Sequence, residues 1–135
     1  MNMITYSNAD TVRKMYEAMS RKDIKTWISF WAKDGIQYLP YSPEGFPMAV
    51  EGKENLENIY LNLLAGYGEL NYTHIDIEPM ANADKVLVRW GVDIQLKGKE
   101  KHYTNELIGV FEFENGKVKA FTEYFNPLRF ADAIE

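Results

Sequence analysis

Residues Lys85–Asn126, KVLVRWGVDIQLKGKEKHYTNELIGVFEFENGKVKAFTEYFN, decide the fold. Val86, Val88, Trp90, Val92, Ile94 and Leu96 recur at every second position, the spacing of a strand with one buried face. Gly98 turns the chain. In His102–Glu114 the residues Tyr103, Asn105, Leu107, Gly109, Phe111 and Phe113 share one parity, and their apolar members mark it as the core face. Asn115-Gly116 is a hairpin turn, because both residues tolerate positive φ. Lys117–Asn126 is the next strand, and Pro127 ends it because proline cannot donate to a ladder. Upstream, Asn71–Glu78 alternates around Ile75 and Ile77. Four consecutive antiparallel strands are therefore predicted.

Before Gly68 the apolar period becomes helical. A first helix is predicted from Ala9 to about Arg21, capped by Ser7 or Asn8, with Val12, Met15, Tyr16 and Met19 as its stripe. Asp23 caps a second, with Ile24, Trp27, Ile28 and Trp31 on one face, and Asp34-Gly35 ends it. Ile36 to Leu39 reads as a short strand. Tyr41–Val50 reads as a loop, because Pro43, Gly45 and Pro47 forbid regular structure. After Gly52 a third helix carries Leu56, Ile59, Tyr60, Leu63 and Leu64 at helical spacing, and Gly66 and Gly68 stop it. Helices gathered before a meander imply an α+β domain, with helices on one face of a curled sheet.

The chain has 135 residues, which is one domain (1–135) by size. Its net charge of −5 argues against non-specific nucleic-acid binding and against a basic membrane-surface face. It has no cysteine, so disulfides, Cys-ligated zinc, Fe–S clusters and thiol nucleophiles are excluded, and a reducing compartment fits. Met1–Asn8 shows neither a basic start nor an apolar run, so no signal peptide is read. No stretch reaches the ~18 apolar residues of a membrane helix. A soluble, cytoplasmic domain is expected. His74 and His102 lie in no metal-ligand pattern, and no P-loop or dinucleotide fingerprint is present, so neither metal nor cofactor is expected.

Three stretches resemble a known family. They are Leu39–Asn55 (LPYSPEGFPMAVEGKEN), Tyr103–Phe113 (YTNELIGVFEF) and Glu123–Leu128 (EYFNPL). Together with the order of elements they resemble the nuclear-transport-factor-2-like superfamily, and within it the branch of SnoaL-like polyketide cyclases and phenazine-biosynthesis A/B-like proteins. The resemblance implies a cystatin-like α+β barrel, or cone, with three N-terminal helices packed on a strongly curved, mostly antiparallel sheet. It also implies a homodimer formed through the sheet face, where Thr104, Ile108 and Val110 share one parity.

Glu123 is the first candidate for chemistry. Alternation allows two settings of the last strand. Either Phe121, Glu123 and Phe125 face inward, or Thr122, Tyr124 and Asn126 do. In the first setting desolvation raises the carboxyl pKa and makes it an acid or base near neutrality. The resemblance favours that setting, because the glutamate of the corresponding Glu-x-x-Asn-Pro stretch is taken as the acid/base group in the phenazine-A/B-like proteins.

Tyr103 and Asn105, on the core face of the adjoining strand, can donate hydrogen bonds to a developing oxyanion; alternatively Asn105 ties two strands together. Tyr16 lies where ketosteroid isomerases place a substrate-binding tyrosine. Trp27, Trp31, Tyr38, Tyr60 and Trp90 read as walls, joined by Phe121 and Phe125. Phe46, with Tyr41 and Met48, can close the loop over the mouth. Arg89 and Asp93 read as outward-facing. The function expected is acid/base catalysis of isomerisation, cyclisation, condensation or dehydration on a small, apolar, carbonyl-bearing molecule. The alternatives are a binding module or a dimeric interaction module.

Overall fold

The computed structural model describes residues 7–134. The signal-peptide reading of the N-terminus falls almost wholly on residues 1–6, outside the described residues. Helix α1 (Asn8–Ser20) starts at Ser7, whose hydroxyl accepts from the Asp10 amide at 3.1 Å. Its stripe of Val12, Met15, Tyr16 and Met19 is buried. Helix α2 (Ile24–Ser29) is capped by Asp23, which accepts from the Thr26 amide at 3.1 Å and its hydroxyl at 2.6 Å.

Helix α2 is shorter than the sequence predicts. Trp31 opens strand β1 (Trp31–Tyr38) instead of closing the helical face. The reason is tertiary: β1 runs parallel to the last strand, with Trp31 opposite Val118, and the Val118 amide donates to the Phe30 carbonyl at 2.9 Å. The pairing register slips between Trp31 and Ile36, so Asp34-Gly35 is a bulge rather than a helix stop. A Cβ on Gly35 would lie 2.9 Å from the Trp31 ring, which only glycine avoids.

The predicted loop is shortened at its end by β2 (Ala49–Glu51), antiparallel to β1. Helix α3 (Lys53–Ala65) buries Leu56, Tyr60 and Leu64. Four long strands follow: β3 (Tyr67–Pro79), β4 (Lys85–Leu96), β5 (His102–Glu114) and β6 (Lys117–Phe125). A fourth helix, α4 (Pro127–Ile134), closes the chain and was not predicted. Pro127 does end β6, but it also occupies the first helical position, and Asn126 Oδ1 accepts from the Leu128 amide at 3.0 Å. No helix among the described residues is long and apolar enough to cross a membrane.

The architecture is α+β: one six-stranded sheet in the order β2-β1-β6-β5-β4-β3, antiparallel except at β1–β6. It does not close into a barrel; β2 and β3 are its edges. Helix α1 packs on β3 and β4, α3 on β1, and α2 bridges the two helices. Paired residues of adjacent strands share a face, so the core rows can be read across the sheet. Val88 pairs with Gly109 and Gly109 with Glu123; Trp90 pairs with Leu107 and Leu107 with Phe125.

Gly109 is fixed by packing. The Phe121 ring stacks on Phe111 at 3.9 Å, and its edge passes directly over Gly109. A Cβ there would lie 2.4 Å from Phe121 Cε1. Phe121 is fully buried and cannot swing away. Gly109→Ala is therefore expected to cost about 1–3 kcal/mol of stability by overpacking, read as a lowered urea midpoint at unchanged slope. An unchanged midpoint would mean that the ring has room to move.

Candidate active site

Helices α1 to α3, the inner rows of β3 to β6 and α4 enclose a cavity of about 480 Å³. That volume suits a small organic molecule. Among its lining residues Glu123 is the one carboxyl group, and no Lys, Arg, His or Asp joins it. The register of β6 resolves the choice the sequence left open. Phe121, Glu123 and Phe125 pair with Phe111, Gly109 and Leu107, and so look inward. Among the described residues no hydrogen-bond donor or cation reaches the Glu123 carboxyl. Desolvation pushes its pKa up to about 7, because the charged form loses water and gains no partner.

Phenols ring this carboxyl. Tyr16 is buried, its ring meets Trp27, Tyr72 and Trp90 at 5.7, 5.6 and 5.2 Å, and its hydroxyl, itself shielded from solvent, has no hydrogen-bond partner among the described residues. Tyr60 donates a short hydrogen bond to Gln37 Oε1. Burial first, and then neighbouring charges that include Glu123, hold Tyr16 and Tyr60 well above the ordinary phenol range. Tyr67 and Tyr72 on β3 are raised by the same causes. Burial pushes Tyr103 up to about 12, although its hydrogen bond with Asn105 acts against the shift. All five therefore stay protonated donors at neutral pH.

Other predicted site residues sit elsewhere. Asn105 is buried but does not line the cavity. Its Nδ2 donates to the Tyr103 hydroxyl at 2.7 Å and to the Asn126 carbonyl at 3.0 Å, while its Oδ1 accepts from the amides of Glu106 and Asn126. That amide is fully used in tying β5 to the end of β6, the alternative the sequence left open. Trp31 is also off the wall, packed behind it against Phe121 at 6.4 Å, because it belongs to β1 rather than to α2. Tyr38 is exposed: alternation along β1 buries Gln37 and so turns Tyr38 outward.

Trp27, Tyr60, Trp90, Phe121 and Phe125 do line the cavity, as does Tyr103. Phe46 reaches the mouth and meets Phe130 of α4 at 5.2 Å; Met48 stays in solvent, and Tyr41 packs on Tyr124 instead.

Four contributors escaped the sequence reading. Gln37 gave no signal beyond the parity of a strand whose start was misplaced. Tyr67 and Tyr72 belong to a β3 whose pairing with β4 is interrupted between Tyr67 and Leu70 and again between Tyr72 and His74, which defeats strict alternation. Phe130 lies on the unpredicted α4, for which Asn126-Pro127 was a usable start signal.

Both histidines lie on the outer sheet face. His74 bonds Glu106 at 2.6 Å, which, ahead of Asp76, raises its pKa; His102 bonds Asp93 at 2.7 Å. Gly91 lets the first pair form, since a Cβ on that residue would crowd the His74 ring at 3.0 Å. Among the described residues no group of three His, Asp or Glu side chains is placed to hold a metal ion.

Known proteins share this frame. A Bacillus subtilis crystal structure titled as a candidate isomerase is 26% identical, covers 94% of this chain and 91% of its own, and superposes with a TM-score of 0.86. A phenazine biosynthesis-related protein from Pseudomonas aeruginosa is 20% identical, with 98% and 88% coverage and a TM-score of 0.70. A candidate polyketide cyclase from Xanthomonas campestris is 17% identical, with 95% and 96% coverage and a TM-score of 0.81. The last two share the fold; the names describe those proteins. Residues 12–121 match the model of the SnoaL-like domain, and the chain belongs to that family.

Proposed function

We propose that the chain is a cytoplasmic, cofactor-independent acid/base enzyme acting on a small, largely apolar, carbonyl-bearing molecule. The observation that carries this reading is the Glu123 carboxyl, unpartnered on an apolar wall and titrating near neutrality. As carboxylate it takes a proton from the carbon next to the carbonyl. The electron pair moves onto the carbonyl oxygen, where the hydroxyl of Tyr103, a residue of the cavity wall, donates to it. Glu123 then returns the proton: to another carbon in isomerisation, to the alkoxide oxygen formed when the carbanion attacks a carbonyl in cyclisation or in condensation with a second molecule, or to the departing hydroxyl, which leaves as water, in dehydration. Because the Tyr103 oxygen accepts from Asn105, its own proton remains available. Asn105 is a positioning residue in this scheme. The apolar wall excludes water and strengthens each of these contacts.

One feature favours a non-catalytic binding module as the second reading: the wall offers a single group able to move a proton near neutral pH. We further propose that two copies pair through the outer sheet face, where Ile108 is 38% exposed near the His74–Glu106 pair, with Thr104 and Val110 on the same parity.

Proton exchange separates enzyme from binder. With β-tetralone in D2O, loss of the α-proton signal should outpace the buffer reaction, and Glu123→Gln should remove about 10²–10⁴-fold of the excess. The rate should rise with pH and level off above about 7, where Glu123 is ionised. A ketone that binds without exchanging supports the binding module.

Stability gives an independent readout. The folded pKa of Glu123 lies above its ordinary 4.5, so the native state binds more protons between those values, and stability falls as pH rises from about 4.5 to about 7. Glu123→Gln removes this loss. The variant should therefore be more stable than the parent at about pH 8, by roughly 1–3 kcal/mol, and lose that advantage at about pH 4. Equal stability at both pH values would contradict burial of the charge.

A further inference from the structure

The same cavity joins two features that proton transfer leaves unused. The first is the missing cation: nothing on the wall neutralises Glu123 once it ionises. The second is the composition of the wall around it. Tyr16, Trp27, Tyr60, Tyr72 and Trp90 form one connected aromatic surface. Tyr16 meets three of the others edge to face, and Trp27 meets Tyr60 at 5.4 Å. The face of each ring is negative and attracts a cation at short range, most strongly where water is excluded. A carboxylate and several aromatic rings thus line one cavity without a positive group of the protein to share it.

We propose that the cavity binds hydrophobic organic amines as ammonium ions, with the charged nitrogen paired to the Glu123 carboxylate and the apolar body held against the tyrosine and tryptophan faces. This assignment uses the same residue as the acid/base reading but needs no turnover. The groups that face Glu123 from the elements around it are the phenols of Tyr16 on α1, Tyr60 on α3, Tyr67 and Tyr72 on β3, and Tyr103 on β5. All are neutral donors, so none supplies the positive charge that an ammonium would bring. An organic anion is disfavoured twice, by the carboxylate and by the ring faces.

Calorimetric titration with three probes on one ring system tests this: naphthylethylamine, naphthylethanol and naphthylacetate. At about pH 8 the amine should bind tenfold or more tighter than the alcohol, and the acetate should not bind. Lowering the pH to about 5.5 should erase the amine's advantage, by up to about tenfold per unit as Glu123 protonates. Glu123→Gln should equalise amine and alcohol at every pH. An alcohol as tight as the amine at pH 8, or an amine preference independent of pH or surviving Glu123→Gln, would overturn the assignment. Binding of the alcohol and of β-tetralone without the amine defeats the amine assignment and leaves the acid/base reading standing. No binding by any of these compounds defeats both.

Discussion

The whole arrangement turns on a half-buried carboxyl group held away from charge against a wall of aromatic rings. An ionised glutamate in such a place is costly, and proteins usually supply a cation or several amide donors. Here neither reaches Glu123. The group therefore holds its proton to about pH 7, and folding has to carry that strain. The packing beneath it supports this: Phe111 and Phe121 stack below, Gly109 leaves room for the ring, and Val86, Val88 and Val118 seal the core.

Position follows from strand register. Moving β6 by one residue would send Glu123 into solvent and bring Thr122 and Tyr124 inside. Two devices hold the register: the Asn115-Gly116 turn with positive φ at both residues, and the irregularity between Glu112 and Phe113. That irregularity lets Val118 and Phe121, three residues apart, both reach the core. Asn105 holds the other end, bonding both backbone groups of Asn126 where β6 passes into α4. Its place is in the frame of the site rather than on its wall.

The half of the chain after Gly68 was legible because alternation there is nearly unbroken. Strands β4 and β5 were read to the residue, and with them the inward row that ends at Tyr103. Errors clustered where tertiary pairing overrides a local signal. Trp31 fits the face of α2, yet pairing with Val118 draws it into β1; Asp34-Gly35 looks like a helix stop and is a bulge. Pro127 ends a strand and starts a helix at once, so α4 and its Phe130 were lost. Glu123 itself was visible only as one of two settings, because parity along an isolated strand has no origin. The register with Gly109 supplies it.

One fold can carry many chemistries, so membership of the SnoaL-like family alone assigns none of them. In this chain the proposed chemistry depends on the state of a single proton, the one on Glu123. Carbon-13 NMR of the protein labelled at glutamate side-chain carboxyls, titrated from about pH 4 to 9 with Glu123→Gln to assign the signal, reads that state directly. One carboxyl should titrate near pH 7, apart from the other glutamates, and vanish in the variant. A Glu123 signal titrating near 4.5 with the rest would contradict the account.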